Sequence, residues 1–183
     1  MIRPVTHWLL ISLQVAVFLS ACRSHQEENA SIVGTLVRDR EVAQLQELLT
    51  HETVDLRCRA AKAIAWMEGP ELHTAHIAAT QVQGCHWKPR AEAAWRLAES
   101  GKSTAMDRVI GLLQDPEPGV RWNAARALGR HREDRGRDTL AACEQDPNPH
   151  VRGWCVWASC RLNGAGKCAR PRKEPIPNSP PAP

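Results

Sequence analysis

The chain has 183 residues, which is enough for one domain with additional segments at its ends. Its formal net charge of +4 is too small to predict nucleic-acid binding. The aromatic composition is unusual, because seven tryptophans are accompanied by a single phenylalanine and no tyrosine.

The first 21 residues have the order of a secretory signal peptide. Residues 1–7 carry one basic residue, Arg3, and residues 8–19 form an apolar run. As a helix this run would span roughly 18 Å, which is short of the ~30 Å hydrocarbon core of a bilayer. We therefore predict a cleaved signal peptide over residues 1–21 and no permanent membrane span.

The sequence Leu19-Ser20-Ala21-Cys22 resembles the lipobox of bacterial lipoproteins. The resemblance implies cleavage before Cys22, lipidation of this cysteine and a lasting membrane anchor. Arg23 follows, in place of the aspartate that retains many such proteins at the inner membrane, which favours the outer membrane of a bacterial envelope, facing the periplasm. The alternative is an ordinary signal peptide with an incidental cysteine. Residues 23–31 are polar, and we interpret residues 22–37 as the lipid acceptor and a tether.

An internal repeat is marked by four arginines that stand 33, 31 and 31 residues apart: Arg57, Arg90, Arg121 and Arg152. Small residues follow each arginine at +3 and +4, a spacing typical of one helix face. A second apolar-periodic stretch precedes each of these helices, and breakers such as Asp115-Pro116 and Asp146-Pro147 separate the two. Two-helix units of this length must stack to bury their apolar faces. We therefore predict an all-α fold, a short right-handed α-solenoid of about four two-helix repeats over residues 38–162.

The segments DPEPGVRWNAARALG and DPNPHVRGWCVWAS resemble the short HEAT-like repeats named after phycobilin lyases. The resemblance covers about residues 38–162; the third repeat matches best, and the second departs most because residues 84–89 replace its turn. In that family the loop aspartate and the helix arginine are structural. The resemblance implies that Asp115, Asp146 and the four arginines brace turns and neighbouring repeats, with phosphate binding as the alternative.

Family geometry places the second helix of every repeat on the concave wall, where we expect a binding site. The positions +1, +5 and +9 from each repeat arginine share one stripe, and tryptophan and arginine, the usual anchors of protein interfaces, dominate it. The predicted partner-binding residues are Trp66, Trp95, Trp122, Arg126, Arg130, Trp157 and Arg161. The alternative is that these large side chains fill a tight solenoid. Trp87 and Trp154 lie off the stripe and are interpreted as packing or turn residues.

Six cysteines follow Cys22, and in an exported protein they can oxidise in pairs. Pairing neighbours is one of fifteen arrangements, and we favour it: Cys58 with Cys85, Cys143 with Cys155, and Cys160 with Cys168. The proline-rich residues 163–183 are predicted to be a disordered tail.

Motifs for catalysis are missing from the sequence: it contains no Gly-rich phosphate loop, no HExxH and no nucleophile elbow. His73 and His76 stand i, i+3 and Cys85-His86 follow, but no second ligand pair completes a metal site. We therefore expect no catalytic residue, no metal, no cofactor and no enzymatic activity.

These patterns together favour a lipid-anchored, periplasm-facing HEAT-repeat adaptor or scaffold. It would bind an envelope protein or peptide through its Trp/Arg-lined concave face, contact the membrane through the lipid on Cys22, and not bind nucleic acid. One alternative is a chromophore- or small-molecule-binding protein, or a lyase-like enzyme resembling phycobilin lyases, for which a visible absorbance band is expected. A purely structural envelope protein is another alternative.

Overall fold

The computed structural model describes residues 5–164 and 167–171, with side chains for residue 21 and from residue 23 onward. The described residues form nine α-helices and no strand. None of the helices in this part of the chain is both long enough and apolar enough to cross a membrane. The side chains of residues 1–20 and of Cys22, on which the signal-peptide and lipidation predictions depend, lie outside the described part.

The first helix, α1, covers Val5–Arg38 and includes the segment that we interpret as a tether. Its last turns contact the repeats, because Val33 is buried and Leu36 and Val37 pack against the same core. These three residues stand i, i+3 and i+4, which is the spacing of one apolar helix face. Residues 23–38 are helical. The buried core begins at Val33, which is before residue 38, the predicted start of the repeat domain.

Four two-helix repeats follow α1. Repeat 1 contains α2 (Val42–Glu47), a 3-10 turn (Leu48–Thr50) and α3 (Val54–Trp66). Repeat 2 contains a 3-10 turn (Pro70–Leu72), α4 (His73–Ala79) and α5 (Trp87–Glu99). Repeat 3 contains α6 (Ser103–Gly111), a 3-10 turn (Leu112–Gln114) and α7 (Pro118–His131). Repeat 4 contains a 3-10 turn (Asp134–Gly136), α8 (Arg137–Cys143) and α9 (Pro149–Leu162).

The second helices of the repeats form one layer and the first helices form the other. In the second-helix layer, α3 packs on α5, α5 on α7, and α7 on α9. In the first-helix layer, α2 contacts α4 and α4 contacts α6. Each repeat therefore packs mainly against its neighbours, which is the arrangement of an α-solenoid. The predicted all-α solenoid fold is confirmed.

Small residues allow the second helices to approach each other closely. The alanines at +3 and +4 from the first three repeat arginines are buried, as are Ile64, Leu97 and Leu128 at +7. The approach is close between α7 and α9, where a Cβ on Gly129 would lie 2.7 Å from the Cα of Ala158. The same close approach brings the ring of Trp157, on α9, against Gly129 of α7.

The repeat arginines brace the loops that precede their own helices. Arg121 Nη1 donates to the carbonyl oxygens of Asp115 and Pro116 at 2.8 and 3.0 Å. Arg152 Nη1 makes the equivalent bonds in the next repeat, at 2.8 and 3.1 Å. These bonds satisfy carbonyl groups that the turn leaves without helical partners.

Two of the four repeat arginines, Arg90 and Arg121, also reach the loop of the following repeat. Arg90 Nη2 lies 3.1 Å from Asp115 Oδ1, and both side chains are almost completely buried. Arg121 pairs with both carboxylate oxygens of Asp146, at 2.7 and 3.0 Å. The structural role that the resemblance implied for these arginines and aspartates is confirmed.

The cysteines pair as predicted. The Cys58–Cys85 bond joins α3 to the loop before α5, and Cys143–Cys155 joins α8 to α9. The third bond, Cys160–Cys168, joins α9 to the segment that follows it. Of the predicted disordered tail, residues 165–166 and 172–183 lie outside the described part of the chain.

Candidate binding face

A group of tryptophans and arginines covers one side of α5, α7 and α9. We call it the Trp–Arg face and define it by these residues: Trp95, Trp122, Arg126, Arg130, Trp154, Trp157 and Arg161. The three helices are consecutive members of the second-helix layer. The face therefore exists only because three repeats stack.

Trp95 is a platform for two guanidinium groups. Arg126 and Arg130 both lie over its ring, with their Cζ atoms 4.5 and 5.4 Å from the ring centroid. Both arginines face the same way because they stand i, i+4 on α7. Trp95 Nε1 donates to Glu99 Oε1 at 2.9 Å, which orients the indole. Cation–π attraction thus holds two positive charges over one ring.

The remaining tryptophans pack on one another. The rings of Trp122 and Trp154 stack with centroids 5.8 Å apart, and Trp157 meets Trp154 edge-on at 5.3 Å. Trp154 Nε1 donates to His150 Nε2 at 3.2 Å. Trp122 Nε1 is buried and finds no acceptor within the described residues. This cluster fixes the rings that flank Arg126, whose Cζ is 5.9 Å from the centroid of Trp154.

The face carries an excess of positive charge. Among the ion pairs of the described residues, none involves Arg126, Arg130, Arg161 or Arg170. Burial lowers the pKa of Arg126, and the charges of Arg130 and Arg170 lower it further, while Glu92 opposes the shift. Neighbouring cations are therefore close enough to repel one another.

The structure brings together six of the seven predicted binding residues. Trp66 is the exception: it ends α3, is 57% exposed, and has no ring contact with the other six in the described structure. Trp157 lies in the cluster but is only 8% exposed, so for this residue packing is the better account. Trp87 packs against Gly119, as expected for a packing residue.

Trp154 belongs to the face, although it lies off the predicted stripe. It stands three residues before Trp157 and four after His150, and it contacts both. On α9 the +1 position of the stripe is Gly153, which has no side chain. The large side chain at this end of α9 is that of the next residue, Trp154. The i, i+3 and i, i+4 spacings around Trp154 were the signal that could have identified it.

A cavity of about 620 Å³ lies beside the face, at the ends of α3 and α5. Residues that line it include Met67, Glu68, His73, His76, Arg96 and Glu99. Burial lowers the pKa of His76, whose Nε2 donates to the carbonyl oxygen of Ile64 at 2.9 Å. Of the metal ligands considered from the sequence, Cys85 is in a disulfide, and the described residues contain no group of three or more His, Cys, Asp or Glu that could hold a metal.

Residues 77–160 match the family model for HEAT repeats. The chain contains HEAT-like repeats. Comparison with curated proteins gives no match. Among solved structures, the chain is similar to human deoxyhypusine hydroxylase in complex with glycerol, with 25% sequence identity and a TM-score of 0.52. The similarity covers 72% of this chain and 46% of that one, so this chain spans less than half of the enzyme's length.

This similarity corrects our expectation that the chain is not an enzyme. The expectation depended on missing motifs, such as HExxH and the nucleophile elbow, that belong to other enzyme folds. The solved structure is a hydroxylase with HEAT-like architecture, and at 25% identity the similarity points toward an enzyme. A HEAT solenoid without those motifs is therefore no argument against catalysis.

Proposed function

We propose that the chain is a lipid-anchored HEAT-repeat protein that binds a segment of a protein or peptide partner on its Trp–Arg face. The observation that carries this proposal is the placement of Arg126, whose Cζ lies 4.5 Å from the ring centroid of Trp95 and 5.9 Å from that of Trp154. Tryptophan and arginine are the residues whose truncation costs most at protein interfaces. Their concentration on one solenoid face supports binding there.

Two further features support a partner of some length. Trp66 leaves most of its indole exposed in the same layer of second helices, and large exposed apolar groups beside a polar rim are typical of interaction surfaces. Neighbouring helices pack about 8–10 Å apart, so a face that crosses α5, α7 and α9 extends over roughly 16–20 Å. An extended peptide covers this distance with about five or six residues at roughly 3.3 Å each.

For the location, we propose the bacterial cell envelope, with the lipid on Cys22 and the repeats facing the periplasm. Three disulfides support a compartment outside the reducing cytoplasm. After cleavage before Cys22, residues 23–28 of α1 would separate the lipid from the repeats, because Asn29 is the first residue of this segment that bonds to them, through Asp55. As a helix these six residues would span roughly 9 Å, so the spacer would be short and stiffer than a flexible tether.

The location is tested by following Cys22. We expect the wild-type protein to partition into detergent with an acylated N-terminus, and Cys22→Ser to remain in the aqueous phase, as shown by phase separation and mass spectrometry. Equal aqueous partitioning of both proteins would contradict the lipid anchor. This result would not bear on whether the Trp–Arg face binds a partner.

The binding face is tested by site-specific photocrosslinking in cell envelopes. A photoreactive residue replaces Trp66 or Lys62, which are exposed on α3, and in matched controls it replaces Asp107 or Asp138, which are exposed on first helices. We expect a discrete crosslinked protein from the α3 positions only, lost when Trp95→Ala is added. Identical crosslinks from both layers, or α3 crosslinks that persist with Trp95→Ala, would refute the face as the partner site.

A second candidate function is enzymatic modification of a partner side chain. The similarity to human deoxyhypusine hydroxylase favours it. The test is incubation of the purified protein with a deoxyhypusine-containing protein in air with a two-electron reductant, so that one oxygen atom of O2 enters the substrate and the other leaves as water, followed by mass spectrometry. Gain of one oxygen atom, lost in a variant with His73→Ala in the adjoining cavity, is the expected result; no gain under any condition that preserves the fold would exclude this substrate.

A further inference from the structure

The arginines of the Trp–Arg face have no carboxylate partner among the described residues. Elsewhere, Arg40, Arg96 and Arg135 each pair with an acidic side chain. Arg126 and Arg130 instead share the ring of Trp95. Like charges at i, i+4 on a helix repel each other, so this arrangement is unfavourable until an anion neutralises it.

A third cation is brought to the same place by the chain after α9. The Cys160–Cys168 disulfide ties this segment to α9, and Pro171 lies 3.2 Å from the point where a Cβ on Gly153 would be. Because Gly153 has no side chain, Pro171 can pack directly on the helix. Arg170, the residue before it, lies close enough to contribute to the lowered pKa of Arg126.

We propose that Arg126, Arg130 and Arg170 form an anion-binding site, and that its occupant is an acidic segment of the protein or peptide partner. Guanidinium groups bind carboxylates through paired N–H donors, and the indoles of Trp95 and Trp154 offer apolar surface to the methylene groups of glutamate. This inference rests on the proposed function and specifies the chemistry of the partner. The length of the face fits a peptide better than it fits a single small anion.

The first test is calorimetric titration of the purified protein with oligoglutamate, using oligoglutamine and oligolysine of equal length as controls. We expect only oligoglutamate to bind, and its affinity to fall as salt is raised. Arg130→Gln, at an exposed position, should weaken binding about tenfold or more, and Arg126→Gln similarly. Arg137→Gln, which removes the same charge from a side chain paired with Asp134, should leave binding unchanged.

The disulfide supplies a second test that does not alter the arginines on α7. Cys160→Ser with Cys168→Ser should weaken oligoglutamate binding, because Arg170 is no longer held beside Arg126. The matched variant Cys58→Ser with Cys85→Ser removes a disulfide from the first repeats and should bind as the wild type does. Equal binding by all three proteins would remove Arg170 from the site.

Three results would overturn the inference: equal binding of oligoglutamine, equal binding of oligolysine, or inorganic phosphate binding as tightly as the peptide. The last would identify a site for a small free anion. If oligoglutamate fails to bind while the Trp66 crosslinks persist, the acidic partner is wrong and the proposed function stands. If oligoglutamate binds while the Trp66 crosslinks are unaffected by Trp95→Ala, the anion site stands and the proposed function fails.

Discussion

The interface between the first two repeats and the interfaces between the later repeats are held by different chemistry. In the later ones, the repeat arginine pairs with the aspartate of the next loop, as Arg90 does with Asp115 and Arg121 with Asp146. In the first, the corresponding loop contains Gly84 and Cys85, and a disulfide from Cys58 joins it to α3. Cys58 directly follows the repeat arginine Arg57, so both links connect equivalent places.

The difference shows that one position in a solenoid can be secured in two physically distinct ways. A buried ion pair must recover the cost of removing two charges from water, and it does so through good geometry and further hydrogen bonds. Asp115 Oδ1 also accepts a hydrogen bond from the backbone N–H of Glu117 at 2.9 Å. A disulfide has no such desolvation cost and acts mainly by restricting the unfolded chain.

The largest expected effect follows from breaking the buried ion pair. Asp115→Leu leaves the Arg90 guanidinium buried without its carboxylate, which should reduce the free energy of unfolding by about 3–5 kcal/mol. Urea unfolding followed by circular dichroism measures this loss. Arg90→Met combined with Asp115→Leu should recover much of it, because no unpaired charge remains; a double variant as unstable as the sum of the two single variants would contradict this account.

The next effect is expected at the first interface. Cys58→Ser with Cys85→Ser should lower the free energy of unfolding by about 2–4 kcal/mol, because the unfolded chain regains the freedom of a closed loop. The measurement is urea unfolding of both proteins under non-reducing conditions. A reductant should destabilise the wild type more than the variant, because the variant has already lost the Cys58–Cys85 bond. An unchanged midpoint in the variant would show that Arg57 and its loop contacts suffice.

The repeat architecture was predictable because the residues that mark each repeat recur at regular intervals along the sequence. Arginines at intervals of 31 to 33 residues, with small residues at +3 and +4, identify the second helices, and breakers such as Asp115-Pro116 identify the turns. The neighbour pairing of cysteines was also correct, since each pair flanks one turn or one stretch between adjacent helices.

The details of the face were less predictable, since they depend on contacts between helices. A stripe at four-residue intervals ignores the 3.6-residue turn of the helix and the reach of a large ring, which is why Trp154 was misplaced. The burial of Trp157 depends on how closely α7 approaches α9 at Gly129. The contribution of Arg170 depends on a disulfide that returns the chain to α9, and local periodicity carries no information about such a return.

A smaller effect is expected where α7 meets α9. Gly129→Ala places a methyl group 2.7 Å from the backbone of Ala158, which cannot move without shifting the helix, and overpacking of this kind costs about 1–3 kcal/mol. Gly111→Ala is the matched control, because a Cβ there meets nothing within 4 Å, and it should stabilise the chain slightly. Thermal unfolding compares the two. Equal unfolding midpoints for the two variants would show that α7 and α9 can move apart to accept the methyl group without loss of stability.

The smallest effect concerns a titratable link at the first interface. Burial lowers the pKa of His76, Arg96 and His73 add to the shift, and the hydrogen bonds to Ile64 and Met67 only partly oppose it. The folded state therefore binds fewer protons than the unfolded state below the ordinary histidine pKa of about 6.5, so stability is complete above that pH and declines as the pH falls through it. His76→Gln keeps an amide donor for the carbonyl of Ile64 and removes this titration. Urea midpoints measured above and below pH 6.5 should differ less in the His76→Gln variant than in the wild type and in a control variant, His25→Gln, at an exposed position of α1. An unchanged difference would show that His76 does not make the first interface sensitive to acid.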